Sequence, residues 1–172
     1  MSFVKTVWGI LLLSILIGVI FLLPYTSLSS DKPVYAPFLE TEKADKAIVF
    51  FGFTRCPDIC PTTLATLRNL LNRVPQTQWP RVVFVDIDAN SNSADAQRYA
   101  SFFHPDFIGI HADQELLPKL KDSFGLNIQQ QGEQIMHDGR TYLLVQKQRQ
   151  WHLIKTYNPS TFDASDLEAD LF

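Results

Sequence analysis

The sequence has only two cysteines among its 172 residues, Cys56 and Cys60, and this scarcity excludes two kinds of protein. A small domain held together by several disulfides needs more cysteine, and so does a zinc module with four cysteine ligands. A single disulfide, a reactive thiol pair and a metal site with two sulfur ligands all remain open.

Positive charge is also in short supply, with 15 Lys and Arg against 18 Asp and Glu and a net charge of −3. Beyond residue 30 the balance is 14 basic to 18 acidic side chains, a net charge of −4. A nucleic-acid-binding surface needs a basic face that displaces counterions from the phosphates. Nucleic acid is therefore excluded as the expected partner.

The amino-terminal sequence lacks charge altogether between Thr6 and Ser30, and Val7 to Leu23 is almost continuously apolar. A helix of that length spans roughly 25 Å, close to the ~30 Å hydrocarbon core of a bilayer. We expect residues 6–25 to form a single transmembrane anchor, with Lys5 on the cytoplasmic side and the following domain in the bacterial periplasm. The small residues of Ser27-Leu28-Ser29 also suit a cleavage site, so a removed signal peptide is the alternative.

The remaining residues, 31–172, suit one α/β domain, joined to residues 1–30 by a proline-containing linker over Tyr25 to Glu42. The hydrophobic patterns predict buried strands, amphipathic helices and a late hairpin. The strands are expected at 47–53, 81–87, 107–110, 141–145 and 151–156, and the helices at 64–74, 94–103, 114–124 and 164–172. This order predicts a thioredoxin-like fold, a central mixed sheet flanked by helices.

The two cysteines lie at the predicted junction between the first buried strand and the first helix. Pro57 disfavours helical backbone at Cys56, while Pro61 suits a first helical turn. Thiols four residues apart around a helix start can face the same way, and the positive end of the helix favours thiolate. We therefore expect a reactive or metal-binding pair, with Cys56 and Cys60 as the catalytic residues if the activity is redox chemistry.

A histidine stands where a thioredoxin-type oxidoreductase has a proline. Such an enzyme normally has two residues between its cysteines, not three, and a cis-proline in the loop facing them. Here the corresponding stretch, Gln134 to Arg140, contains His137 and no proline. Two thiolates and an imidazole suit Cu(I) and leave a position for a partner's ligand. A zinc ion completed by water is chemically possible as well. The other three histidines are expected to be structural or on the surface.

The run VFFGFTRCPDICPTTLATL, residues 49–67, resembles the signature of the SCO/SenC copper proteins, which carry a Cys-x-x-x-Cys segment in a thioredoxin-like fold. VFVDIDA, residues 83–89, and YASFFHPDFIGI, residues 99–110, resemble the segments that follow. His137 stands five residues before Tyr142, as the metal-binding histidine of that family does. The resemblance covers about residues 46 to 157.

The resemblance implies a membrane-anchored metallochaperone that binds copper, as Cu(I) or Cu(II), through Cys56, Cys60 and His137. Its client would be cytochrome c oxidase subunit II, which would receive copper for its dinuclear centre, or another copper-accepting protein. A thiol reductant would be a second partner. Asp88 matches a family position that would support the site, although a strand-end cap is an equal alternative. The other function left open is a thiol-disulfide oxidoreductase that acts on the copper-ligand cysteines of a client.

Overall fold

The computed structural model describes residues 2–22, 28–40, 44–131 and 134–172, and within the first helix the side chains of Lys5 and residues 7–18. Five α-helices, eight strands and three short 3₁₀ helices make up this part of the chain. The helices are α1 (Ser2–Leu22), α2 (Ile59–Leu71), α3 (Ser93–Phe103), α4 (Leu116–Phe124) and α5 (Ala164–Leu171). The strands are β1 (Leu28–Pro33), β2 (Lys46–Gly52), β3 (Arg81–Asp86), β4 (Ile108–His111), β5 (Ile128–Gln131), β6 (Gln134–His137), β7 (Thr141–Lys147) and β8 (Gln150–Tyr157).

Six strands form the central sheet, in the order β1-β8-β7-β2-β3-β4. β2, β3 and β4 are parallel to one another, whereas β7 runs antiparallel to β2, β8 antiparallel to β7, and β1 antiparallel to β8. β5 and β6 pair separately as a two-stranded antiparallel sheet. The predicted thioredoxin-like architecture, a mixed sheet flanked by helices, is thus confirmed.

The sheet separates two hydrophobic cores because successive side chains of a strand point to opposite faces. On β2, Ala47, Val49 and Phe51 pack with the α4 side, while Ile48 and Phe50 pack with α2, α3 and α5. Burial on both faces explains why this strand reads as one continuous apolar run.

The register of the sheet brings two distant segments to one end. Thr141, the first residue of β7, pairs with Phe50 near the end of β2. The residues that precede β7 and the residues that follow β2 therefore share an edge of the sheet. These are the segments that carry His137 and the two cysteines.

The segment expected to be a linker contains a strand. β1 pairs with the outer edge of β8, and the domain division expected at residue 31 falls inside it. The linker prediction is wrong over these residues, because an edge strand is held by backbone hydrogen bonds and needs no apolar pattern. The hairpin of β5 and β6 was not predicted at all.

The amino-terminal helix α1 covers most of the predicted anchor. Within the described part of the chain, no helix combines the length and the apolarity needed to cross a membrane.

Candidate metal centre

The cysteine segment connects the end of β2 to the start of α2. A tight turn follows the strand, in which the backbone N–H of Cys56 donates to the carbonyl of Phe53 at 3.1 Å. The carbonyl of Asp58 accepts the first helical hydrogen bond, from the N–H of Thr62. Cys60 therefore lies in the first turn of α2 and is fully buried, whereas Cys56 lies just outside the helix and is partly exposed.

His137 is the last residue of β6, and three contacts hold it near the cysteines. Ile128 is its partner on β5, and Phe53 packs edge-on against the imidazole at 5.6 Å between ring centroids. The backbone N–H of Gly139 donates to Nδ1 of His137 at 3.0 Å. The histidine expected in a loop thus sits at a strand end and is partly buried.

Both cysteines and His137 converge. One ligand atom from each of the three residues lies within 4.8 Å of the others. Among the described residues, this is the one group of three or more His, Cys, Asp and Glu side chains arranged closely enough to hold a metal ion. Two sulfurs and one imidazole are a soft donor set, which suits Cu(I) and also Zn²⁺.

Burial shifts the pKa values of Cys60 and His137 in opposite directions. Burial raises the pKa of the Cys60 thiol, and hydrogen bonding and proximity to Cys56 add to the effect. The expected preference for thiolate is wrong for Cys60, because desolvation of the anion outweighs the helix start. Burial lowers the pKa of His137 below 6.5, against a smaller opposing effect of Asp138. At neutral pH the imidazole is therefore neutral, which is its metal-binding form.

Asp88 contacts the cysteine segment through an ion pair with Arg55, the residue before Cys56. Its side chain is 2% exposed, and one oxygen accepts from Nε and Nη2 of Arg55 at 3.2 and 2.7 Å. The other oxygen accepts the N–H of Asn90 at 2.9 Å. The side chain therefore caps the turn after β3, as one alternative expected, and also holds Arg55, the residue before Cys56. Its support of a metal site stays a prediction.

We expect Asp88→Asn to lower the free energy of unfolding by about 1 kcal/mol at pH 7. The substitution weakens a charge-assisted hydrogen bond, whose value is reduced because the Arg55 side chain is half exposed to solvent. Burial opposes ionisation of Asp88, but the N–H of Asn90 and the Arg55 guanidinium outweigh it and hold its pKa below 3.8. The stabilisation is therefore present above pH 3.8 and disappears as the pH falls through the lower, folded-state pKa. Urea denaturation of both proteins across this range measures it, and a difference independent of pH would contradict the assignment.

Sequence reasoning missed a second carboxyl group, Asp86, although an aspartate closing an apolar strand was a visible signal. Asp86 is fully buried at the end of β3, where it pairs with Gly52 of β2. Its Oδ1 accepts the N–H of Asp88 at 3.1 Å. Burial raises its pKa, against the smaller opposing effects of the nearby Ser91 hydroxyl and of the Asp88 N–H, and its charge in turn raises the pKa of Cys60.

We expect Asp86→Asn to increase the stability of the protein at pH 7, the opposite of Asp88→Asn. The folded-state pKa of Asp86 lies above 3.8, so the wild type loses stability as the pH rises through it and the carboxylate is formed in a buried place. Asparagine keeps an oxygen for the N–H of Asp88 and carries no charge. The same urea measurements should show the two proteins converging as the pH falls below 3.8. A variant less stable than wild type at pH 7 would contradict the prediction.

The other three histidines have structural contacts. Nε2 of His111 is 3.0 Å from the carbonyl oxygen of Asp88, and Nδ1 of His152 is 2.9 Å from a carboxylate oxygen of Asp31. His104 is buried between the rings of Trp79 and Phe107.

Comparison with known proteins gives this geometry a context. A Stutzerimonas stutzeri protein whose name refers to copper binding is 38% identical over 90 residues, which are 51% of this chain and 44% of that protein. An SCO2-like protein of Rickettsia prowazekii is 29% identical over 107 residues, 57% of this chain and 52% of the relative. The chain thus spans about half the length of the curated relatives that it matches.

Two solved structures resemble the whole domain. The apo Sco1 protein of Thermus thermophilus superimposes with a TM-score of 0.66 at 30% identity, over 85% of this chain and 91% of that one. Copper-bound ScoI of Arabidopsis thaliana gives the same TM-score at 21% identity, over 83% and 95% of the two chains, and at that identity supports the fold alone. The family description SCO1/SenC matches residues 40–171, which include all of β2 to α5. By this match and by its fold, the chain belongs to the SCO1/SenC family.

Proposed function

We propose that the protein binds one copper ion through Cys56, Cys60 and His137. The observation that carries the proposal is the convergence of two thiols and a neutral imidazole within 4.8 Å. Thiolate ligands select Cu(I), and the apolar surroundings of the buried Cys60 disfavour the more highly charged Cu(II). The Stutzerimonas stutzeri relative, whose name refers to copper binding, supports this choice of metal over zinc.

We further propose that this copper is cargo, delivered to the dinuclear centre of cytochrome c oxidase subunit II. Three protein ligands leave room for an incoming ligand, and partial exposure of Cys56 gives a client thiol access to the ion. Exchange of ligands one at a time would pass Cu(I) on without releasing it to solvent. Membership of the SCO1/SenC family supports this client.

Anaerobic titration of the reduced protein with Cu(I), followed by X-ray absorption, tests the first proposal. We expect one copper per chain in a first shell of two sulfurs and one nitrogen. No stable copper, or a shell of sulfur alone, would overturn it. Adding the apo copper-binding domain of subunit II to the loaded protein tests delivery, and copper that stays on the donor would overturn that step.

Thiol-disulfide exchange is the second candidate function, favoured by the two free, adjacent thiols. In that reaction a client disulfide gains two electrons and two protons and becomes two thiols, while Cys56 and Cys60 become a disulfide. A dithiol reductant then restores the pair. Exchange that continues in a His137→Ala variant would support this role. Failure of the reduced protein to open a disulfide between the copper-ligand cysteines of subunit II would exclude it.

We also propose that the charge-free sequence from Val7 to Leu23 anchors the chain in the bacterial inner membrane, with the domain in the periplasm. The described side chains of α1 support this, since its large apolar residues between Val7 and Ile17 are all about half exposed or more. Alkaline extraction of membranes tests the anchor, and recovery of the full-length chain in the soluble fraction would overturn it.

A further inference from the structure

The hydrogen bond from the N–H of Gly139 to Nδ1 of His137 fixes the tautomer of the imidazole. A neutral imidazole has one nitrogen that carries a proton and one that carries a lone pair. Because Nδ1 accepts the Gly139 N–H at 3.0 Å, its lone pair faces Gly139 and the ring proton is on Nε2. In this state neither nitrogen has a lone pair available for another partner.

Copper binding to His137 therefore has to break this bond, whichever nitrogen becomes the ligand. If Nδ1 binds the ion, the metal takes the lone pair that Gly139 now uses. If Nε2 binds the ion, its proton must leave and the ring proton must be on Nδ1, where it would face the Gly139 N–H, donor against donor. Metal-ligating histidines normally donate their second N–H to an acceptor, and Gly139 offers a donor instead.

We infer that the backbone N–H of Gly139 competes with copper for His137 and so lowers the affinity of the site for Cu(I). The inference rests on the proposed copper site and deepens it. During delivery, recapture of the imidazole by Gly139 lowers the number of protein ligands on the ion and favours transfer to the client.

The Gly139 N–H is held firmly in the position that this competition requires. Gly139 is buried with φ at +59°, a left-handed conformation that glycine adopts without strain. A Cβ at this position would lie 2.8 Å from Cδ1 of Ile59, so the turn packs directly on α2. An ion pair between Asp138 and Arg140, 3.2 Å long, spans the same turn. Because Ile59 stands between the two cysteines in sequence, a shift at the cysteines on metal binding reaches Gly139 through this contact.

Nitrogen-15 NMR of the full-length reduced protein, with and without one equivalent of Cu(I), tests the inference directly. We expect His137 to be protonated on Nε2 without copper and to change state on loading, with faster hydrogen exchange at the Gly139 amide. His152 is the control, since its Nδ1 faces the Asp31 carboxylate and should not change. An Nδ1-protonated His137 without copper, or equal protection of Gly139 in both states, would overturn the inference. Absence of bound copper would instead overturn the proposed function, so the two failures are distinguishable.

A backbone ester at residue 139, which replaces the N–H with oxygen, removes the competitor and leaves the side chains unchanged. We expect this analogue to bind Cu(I) about two- to tenfold more tightly, the equilibrium value of one net hydrogen bond. The control is the same ester in a His137→Ala background, where the affinity should not rise. An unchanged or weaker affinity in the first analogue would contradict the competition, and so would an equal gain in both backgrounds.

Discussion

Replacing His137 with alanine is expected to weaken Cu(I) binding by more than about 100-fold. The loss of a group that merely orients a metal ligand already costs about 10- to 100-fold, and this substitution removes the ligand itself. The two sulfurs remain and can still hold Cu(I) in a two-coordinate site. Competition with a Cu(I) chelator of known affinity measures the change, and X-ray absorption should show a nitrogen lost from the first shell.

His152→Ala is the matched control, because it removes an imidazole from the same domain outside the proposed site. Its Cu(I) affinity should equal that of the wild type. Urea denaturation of both metal-free variants should show folded proteins, since His137 is only partly buried and its ring contact with Phe53 is limited. Equal copper affinity in His137→Ala and wild type would remove His137 from the site.

The parts of the fold that the sequence predicted are those with a local hydrophobic pattern. The patterns in question are the apolar runs of β2 and β3 and the helical spacing of Leu64, Leu67 and Leu71. In each of them, the apolar residues that form the pattern are the same residues that are buried in the structure. The hairpin of β5 and β6 lacks this signal, because Gln129 to Gln131 are polar and the pairing is made by the backbone. β1 was missed for the same reason.

The candidate site was predictable as far as it depends on residue type and sheet topology. Cys56, Cys60 and His137 follow from the strand-to-helix junction and from the loop that faces it. The electrostatics were not predictable, because they depend on contacts between distant segments. Cys60 is buried in the core cluster that includes residues of β2, β3, α3 and α5, and the pair of Arg55 with Asp88 joins residues 33 apart in sequence. Asp88 therefore stabilises the cysteine turn from the turn that follows β3, through a contact that residue spacing alone does not predict.

Gly52, the last residue of β2, lies against the buried cysteine, and Gly52→Ala is expected to disturb both the fold and the site. A Cβ at this position would be 2.7 Å from Sγ of Cys60 and 3.0 Å from ring atoms of Phe50 and Phe84. Both rings are fully buried, so the overpacking should cost about 1–3 kcal/mol of stability. Sγ of Cys60 is the atom closest to the added Cβ, so it has to move, and its position relative to Cys56 changes.

A displaced Cys60 should reduce Cu(I) affinity by about tenfold or more, because a metal site tolerates ligand shifts of only about 0.5 Å. Leu70→Ala separates this effect from general destabilisation. Leu70 is fully buried ten residues beyond Cys60 on the same helix, and its truncation should cost about 2–5 kcal/mol. We expect this less stable control to bind Cu(I) like the wild type. Equal losses of affinity in the two variants would mean that the copper site responds to the stability of α2 and not to the contact between Gly52 and Cys60.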